Sequence, residues 1–79
     1  MALQIFLSSS LRSHVPDYDP AGGLRMDIEG KMRVAEVCNR LSIPVERVKI
    51  VMVDGIGRSL EHILEGDERV GLFPPVGGG

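Results

Sequence analysis

Leu3, Ile5 and Leu7 alternate with Gln4, Phe6 and Ser8, a period of two that predicts a strand with one buried face. The same alternation returns at Leu24, Met26 and Ile28 against Arg25, Asp27 and Glu29, and Gly30 breaks it. Between the two strands, residues 12–23 hold Pro16, Asp17, Asp19, Pro20, Gly22 and Gly23, which predicts a long loop. The period then changes. Val34, Val37, Cys38 and Leu41 fall at i, i+3, i+4 and i+7, the stripe of an amphipathic helix. Ile43 closes that stripe and Pro44 prevents the helix from continuing. Residues 30–33 offer none of the favoured Ser, Thr, Asp or Asn caps at its start.

Residues 48–53 form an apolar, β-branched run interrupted by Lys49, the pattern of a central strand covered on both faces. Asp54 and Gly55 end it with a turn. The next stretch, 56–64, is open to two readings: Ile56, Leu60, Ile63 and Leu64 line one helical face, or they belong to an irregular segment with a short strand. Residues 65–68 turn the chain into a last strand over 69–73, which Pro74 terminates. Val70 and Leu72 share one face of that strand, Gly71 and Phe73 the other. With the aliphatic pair against the helix, Phe73 points outward. The order strand, strand, helix, strand, uncertain piece, strand predicts an α+β domain with the helix laid across one face of a small mixed sheet.

With 79 residues there is room for one small domain with a single core, and little for a catalytic cleft with walls of its own. Phe6, Tyr18 and Phe73 are the aromatics, so aliphatic side chains fill the interior. The net charge of -2 comes from interspersed residues of both signs, which argues against nucleic acid as a direct partner. Cys38 has no second cysteine to pair with, and its place on the helical stripe reads as a buried structural thiol. His14 and His62 lie too far apart in sequence for a metal-ligand spacing and read as solvated. Asp17 and Asp19 lack the other ligands of a calcium loop, and no Gly-Lys-Ser/Thr follows Gly55 and Gly57 to make a phosphate loop. The short apolar segment at residues 2–7 has no basic flank, and no segment approaches the length of a membrane span. A cytoplasmic protein with neither membrane nor nucleic-acid partner is expected.

The chain closes on Val76, Gly77, Gly78 and Gly79, directly after Phe73, Pro74 and Pro75. A run of glycines is the most slender polypeptide there is, and it presents the least hindered carboxylate. Glycine-rich ends also serve as linkers or floppy termini. Here an apolar strand pattern runs straight into Phe-Pro-Pro, and the expectation is that residues 1–75 form the domain while 76–79 form a flexible tail. Fully extended, those four residues reach roughly 13 Å, enough to carry the Gly79 carboxylate into the active site of another enzyme. Pro74 and Pro75 lack N–H donors and fix φ, so they stop sheet pairing and stiffen the exit.

Leu64-Glu65-Gly66-Asp67, then Val70-Gly71-Leu72-Phe73-Pro74-Pro75-Val76 and the glycine end, together with the order of elements, resemble the ubiquitin-like sulfur carriers of the MoaD/ThiS family. Within that family the Phe-Pro-Pro-Val segment resembles the MoaD branch, the small subunits of molybdopterin synthase. The resemblance implies a β-grasp fold with 34–41 as its helix, and a carrier that is not itself an enzyme and binds no cofactor or metal. An adenylyltransferase of the ubiquitin-activating class (MoeB/ThiF type) would join the Gly79 carboxylate to AMP, consuming ATP. Sulfur from a persulfide donor would then displace AMP to leave a thiocarboxylate, with Gly77 and Gly78 as the tail. A larger catalytic subunit of MoaE type would accept the same tail and pass sulfur to a pterin precursor. The resemblance makes Phe73, Pro74, Pro75 and Val76 a partner-binding patch; on the residues alone, Phe73 also reads as a cap on the core. Two alternatives stay open: sulfur delivered to thiamine, tRNA or cysteine, and a ubiquitin-like modifier conjugated to lysines.

Overall fold

The computed structural model describes residues 2–75, the side chain of Ser9 excepted. Strand β1 (Ala2–Leu7) leads into a 3-10 helix (Ser9–His14), then β2 (Leu24–Asp27), β3 (Met32–Arg33), helix α1 (Val34–Arg40), a second 3-10 turn (Val45–Arg47), β4 (Ile50–Val53), β5 (Ile56–Arg58), β6 (Ile63–Leu64) and β7 (Arg69–Phe73). Five strands form one mixed sheet in the order β2-β1-β7-β4-β5, and β3 pairs with β6 in a separate two-stranded ladder. Strand β7 is central, parallel to β1 and antiparallel to β4. This is the β-grasp architecture.

The alternation in β1 and β7 does what its period requires. Leu3, Ile5, Leu7, Val70 and Leu72 are buried, and so are Val51 and Val53 of β4. Against this face lies the helix stripe of Val34, Val37 and Cys38, closed by the buried Ile43. The register stacks Leu7, Leu72 and Val51 in one row and Ile5, Val70 and Val53 in the next, which makes Leu72 the midpoint of the core.

Strand β4 corrects the reading of a strand covered on both faces. Ile50 is 43% exposed and Met52 half-buried, because the one α-helix covers a single side of the sheet. Residues 12–23 are likewise more than a loop. Their first part completes the Ser9–His14 helix, anchored by Leu11 at 1% exposure. Tyr18 accepts a hydrogen bond from the Leu7 amide on its phenolic oxygen (2.7 Å). Gly23 is required where this segment rejoins the sheet, since its φ is +75° and a Cβ there would lie 2.7 Å from the Ile5 carbonyl oxygen.

The helix has no side-chain cap, as its sequence predicts, yet its first amides are satisfied. The Val34 and Ala35 amides donate to the carbonyls of His62 (3.0 Å) and Leu60 (2.9 Å), a backbone substitute for a capping residue. That contact settles residues 56–64 as an irregular segment with short strands rather than a helix. Asp54 (φ 51°) and Gly55 (φ 82°) make the two-residue turn joining β4 to β5, with Val53 paired to Ile56. Positive φ at both positions is the type I′ geometry that Asp-Gly favours.

The turn before β7 is held by one side chain. The Glu68 carboxylate accepts from the amides of Glu65 (2.7 Å), Gly66 (2.8 Å) and Asp67 (3.1 Å). Burial pushes this carboxyl up, but the backbone donors outweigh burial and hold it below the ordinary glutamate range. A depressed folded-state pKa means that the stabilisation is present above the unfolded value and fades as pH falls through the folded one. Glu68→Gln is expected to cost about 1 kcal/mol at neutral pH. In urea titrations the gap between wild type and variant should narrow between about pH 5 and about pH 3; a gap independent of pH would contradict this role.

Candidate functional site

The sheet face away from the helix is uncovered among the described residues. The pairing register places Phe6, Gly71, Met52 and Gly57 in one row across it, with Phe73 and Ile50 in the row nearer the end of β7. Farther from that end, Arg25, Gln4 and Arg69 form a polar row. The face therefore grades from apolar beside the tail to charged at a distance. Its apolar part, formed by Phe6, Met52, Ile50 and Phe73, is partly exposed, a surface suited to docking a partner.

Phe73 is 38% exposed and lies on this open face, as the alternation of β7 predicts. Its ring folds back over Gly71, where an added Cβ would meet Phe73 Cε1 at 3.2 Å. Glycine at 71 thus gives the ring a floor on the strand. On the far side of the row, the Arg69 guanidinium sits 5.1 Å from the centre of the Phe6 ring, a cation–π contact that steadies both side chains. The core-cap reading of Phe73 fails, since Leu72 and Val70 close the core at 0% exposure without it.

The tail is rooted at the centre of the sheet. The Lys49 amide donates to the Phe73 carbonyl at 2.8 Å, and the Ser8 amide to the Leu72 carbonyl at 3.2 Å. There the ladder stops, because Pro74 and Pro75 have no amide hydrogen to offer. Pro74 is half-buried and Pro75 exposed. Val76, Gly77, Gly78 and Gly79 lie outside the described residues.

Phe73, Pro74 and Pro75, expected from the sequence as a patch, follow one another at and just beyond the end of β7. Phe6, Ile50 and Met52, which the sequence reading did not single out, share the open face with Phe73. Phe6 occupies the polar phase of the β1 alternation, and the apolar residues of β4 off the Val51 and Val53 phase are the corresponding signal there.

Cys38 is fully buried, and burial pushes its thiol pKa up, the setting of a structural rather than a reactive thiol. His14 and His62 are half-buried rather than fully solvated. Among the described residues no group of three or more His, Cys, Asp or Glu could hold a metal ion, and no helix is long and apolar enough to cross a membrane.

No protein-family model and no curated protein matches the chain. Among solved structures, SAMP1 from Haloferax volcanii matches with a TM-score of 0.71 at 18% sequence identity, over 100% of both chains. That likeness shows the β-grasp fold and is a statement about the fold alone.

Proposed function

We propose that this protein is a sulfur carrier whose Gly79 carboxylate is the reacting group. A carboxylate is a poor electrophile until one of its oxygens belongs to a good leaving group. Attack of the carboxylate on the α-phosphorus of ATP, with loss of pyrophosphate, gives an acyl adenylate on a ubiquitin-activating-like enzyme. A persulfide sulfur then attacks the acyl carbon, AMP departs, and a second thiol cleaves the resulting acyl disulfide to leave the thiocarboxylate. Each step needs the carrier's last atoms and none of its side chains as catalyst. The resemblance of the Phe-Pro-Pro-Val segment to the MoaD branch supports delivery to a pterin precursor, with a larger MoaE-type subunit taking the same tail.

The observation that carries this reading is the placement of the tail root. The tail leaves from the central strand, beside the apolar rows of Phe73, Ile50, Phe6 and Met52. A partner can hold the domain by that face while the tail enters its active site, and the stiff Pro74-Pro75 exit lowers the ordering cost. Phe73→Ala is expected to weaken binding to the adenylating enzyme at least about tenfold, as for an aromatic anchor near the centre of an interface. Because Phe73 is 38% exposed and lies outside the core, the melting temperature should fall little. Unchanged affinity measured by calorimetry would remove Phe73 from the interface.

The sulfur acceptor is tested by mixing the thiocarboxylated protein with the larger synthase subunit and a pterin precursor, and following dithiolene formation. Sulfur passed instead to a thiazole precursor, to tRNA or to a cysteine precursor would place the protein in another pathway. Isopeptide adducts on cellular lysines would favour a ubiquitin-like modifier.

A further inference from the structure

We propose that a groove at the root of the tail is a recognition subsite for an acidic segment of the tail-activating enzyme; this deepens the sulfur-carrier reading and rests on it. The groove encloses about 400 Å³ between Ser10, Ser13 and His14 of the first 3-10 helix and Arg47 of the second, with Pro74 and Pro75 also lining it. Pro74 and Pro75, which line it, lead directly into the tail, so an enzyme that takes in the tail docks beside it.

Its chemistry selects the occupant. No carboxylate lines the groove, and the ion pairs among the described residues, Arg25 with Asp27 and Arg33 with Glu61, leave Arg47 without a carboxylate partner. Lys49, also exposed, is tied to the tail root through its amide. The acidic turn of Glu65, Asp67 and Glu68 leads into the opposite end of β7. A protein of net charge -2 therefore keeps free cationic groups where the tail departs, which is the arrangement that meets carboxylates on a partner.

The wall is also built to hold its shape. Leu11 anchors it in the core at 1% exposure. Arg12 donates from Nε to the Leu7 carbonyl (3.0 Å), and its guanidinium lies 5.9 Å from the Tyr18 ring centre. Tyr18 is in turn fixed by the Leu7 amide. A prefixed wall presents Ser10, Ser13 and His14 without the entropy cost of ordering a loop on docking. The long connection between β1 and β2 thereby acquires a role, as one jaw of a subsite that discriminates among partners.

The test is ATP–pyrophosphate exchange by the ubiquitin-activating-like adenylating enzyme of the same organism, with this full-length protein as substrate at varied concentration. Arg47→Glu is expected to raise KM for the carrier about tenfold and leave kcat within about twofold, since the charge acts in docking rather than chemistry. Lys31→Glu, the same charge change next to β3, should leave KM within about twofold. Equal KM for Arg47→Glu and wild type, or an equal rise with Lys31→Glu, would overturn the subsite. No exchange with wild type at any concentration would overturn the sulfur-carrier reading and this inference with it, whereas exchange indifferent to Arg47 overturns the inference alone. Both positions are exposed, and melting curves of the variants verify that folding is unchanged.

Discussion

Deleting Gly78 and Gly79 is expected to abolish sulfur transfer completely while the domain melts within about 2 °C of wild type. The reasoning is a division of labour along one strand. Stability at this end of the chain comes from Val70 and Leu72, both at 0% exposure, and the last ladder bond runs from the Lys49 amide to the Phe73 carbonyl. The described core residues run from Leu3 to Leu72, all before Pro75 in the chain. The shortened tail ends on Gly77, about two residues short of an active site reached by the full tail, a deficit of roughly 7 Å that docking cannot restore. Circular dichroism and adenylation assays on the same preparation check both halves. A truncated protein that melts normally and still becomes thiocarboxylated would contradict the role given to the tail.

Leu72→Asp is expected to do the reverse, unfolding the domain while leaving the tail's sequence unchanged. Leu72 is flanked by Leu7 on one side and Val51 on the other in the central row of the sheet. An aspartate there is a buried charge without a partner. The cost should exceed about 4 kcal/mol, comparable with the total of roughly 4–12 kcal/mol expected for a domain of this size. Loss of cooperative unfolding, seen in urea or by calorimetry, is the predicted result. A melting temperature near that of wild type would mean that β7 is not the centre of the core.

The parts of this fold governed by local periodicity were legible in the chain. Leu3, Ile5 and Leu7 mark a one-sided strand, Val34, Val37 and Cys38 a helical stripe, and Asp54-Gly55 a turn. The outward placement of Phe73 follows from counting along β7. What escaped were features decided by distant partners. Residues 56–64 gained their form by supplying the Leu60 and His62 carbonyls to the start of α1 and by pairing Ile63 and Leu64 with Met32 and Arg33. No local propensity encodes such pairings. The Ser9–His14 helix buries a single leucine, Leu11, too little for a period to show.

The misreading of β4 is the most instructive of these differences. An unbroken apolar run suggests burial on both faces, but Ile50 and Met52 turn toward the open face that Phe73 and Phe6 share. The excess of apolar residues marks an open apolar face rather than a second covering layer. The same distinction separates the site from the core throughout the chain. Phe73, Pro74 and Pro75 were recognisable from the segment they form, whereas Phe6 and Met52 join them through strand register, which a linear sequence does not display.

The central claim is that the final residue is the reactant and the folded domain is the handle by which other enzymes hold it. Its most direct test is intact-mass and fragmentation spectrometry of the full chain after incubation with a ubiquitin-activating-like adenylating enzyme, ATP and a persulfide donor. The account predicts exchange of a single oxygen for sulfur, localised to Gly79. An unchanged mass in the presence of an enzyme shown to be active, or sulfur found on Cys38 instead, would contradict it.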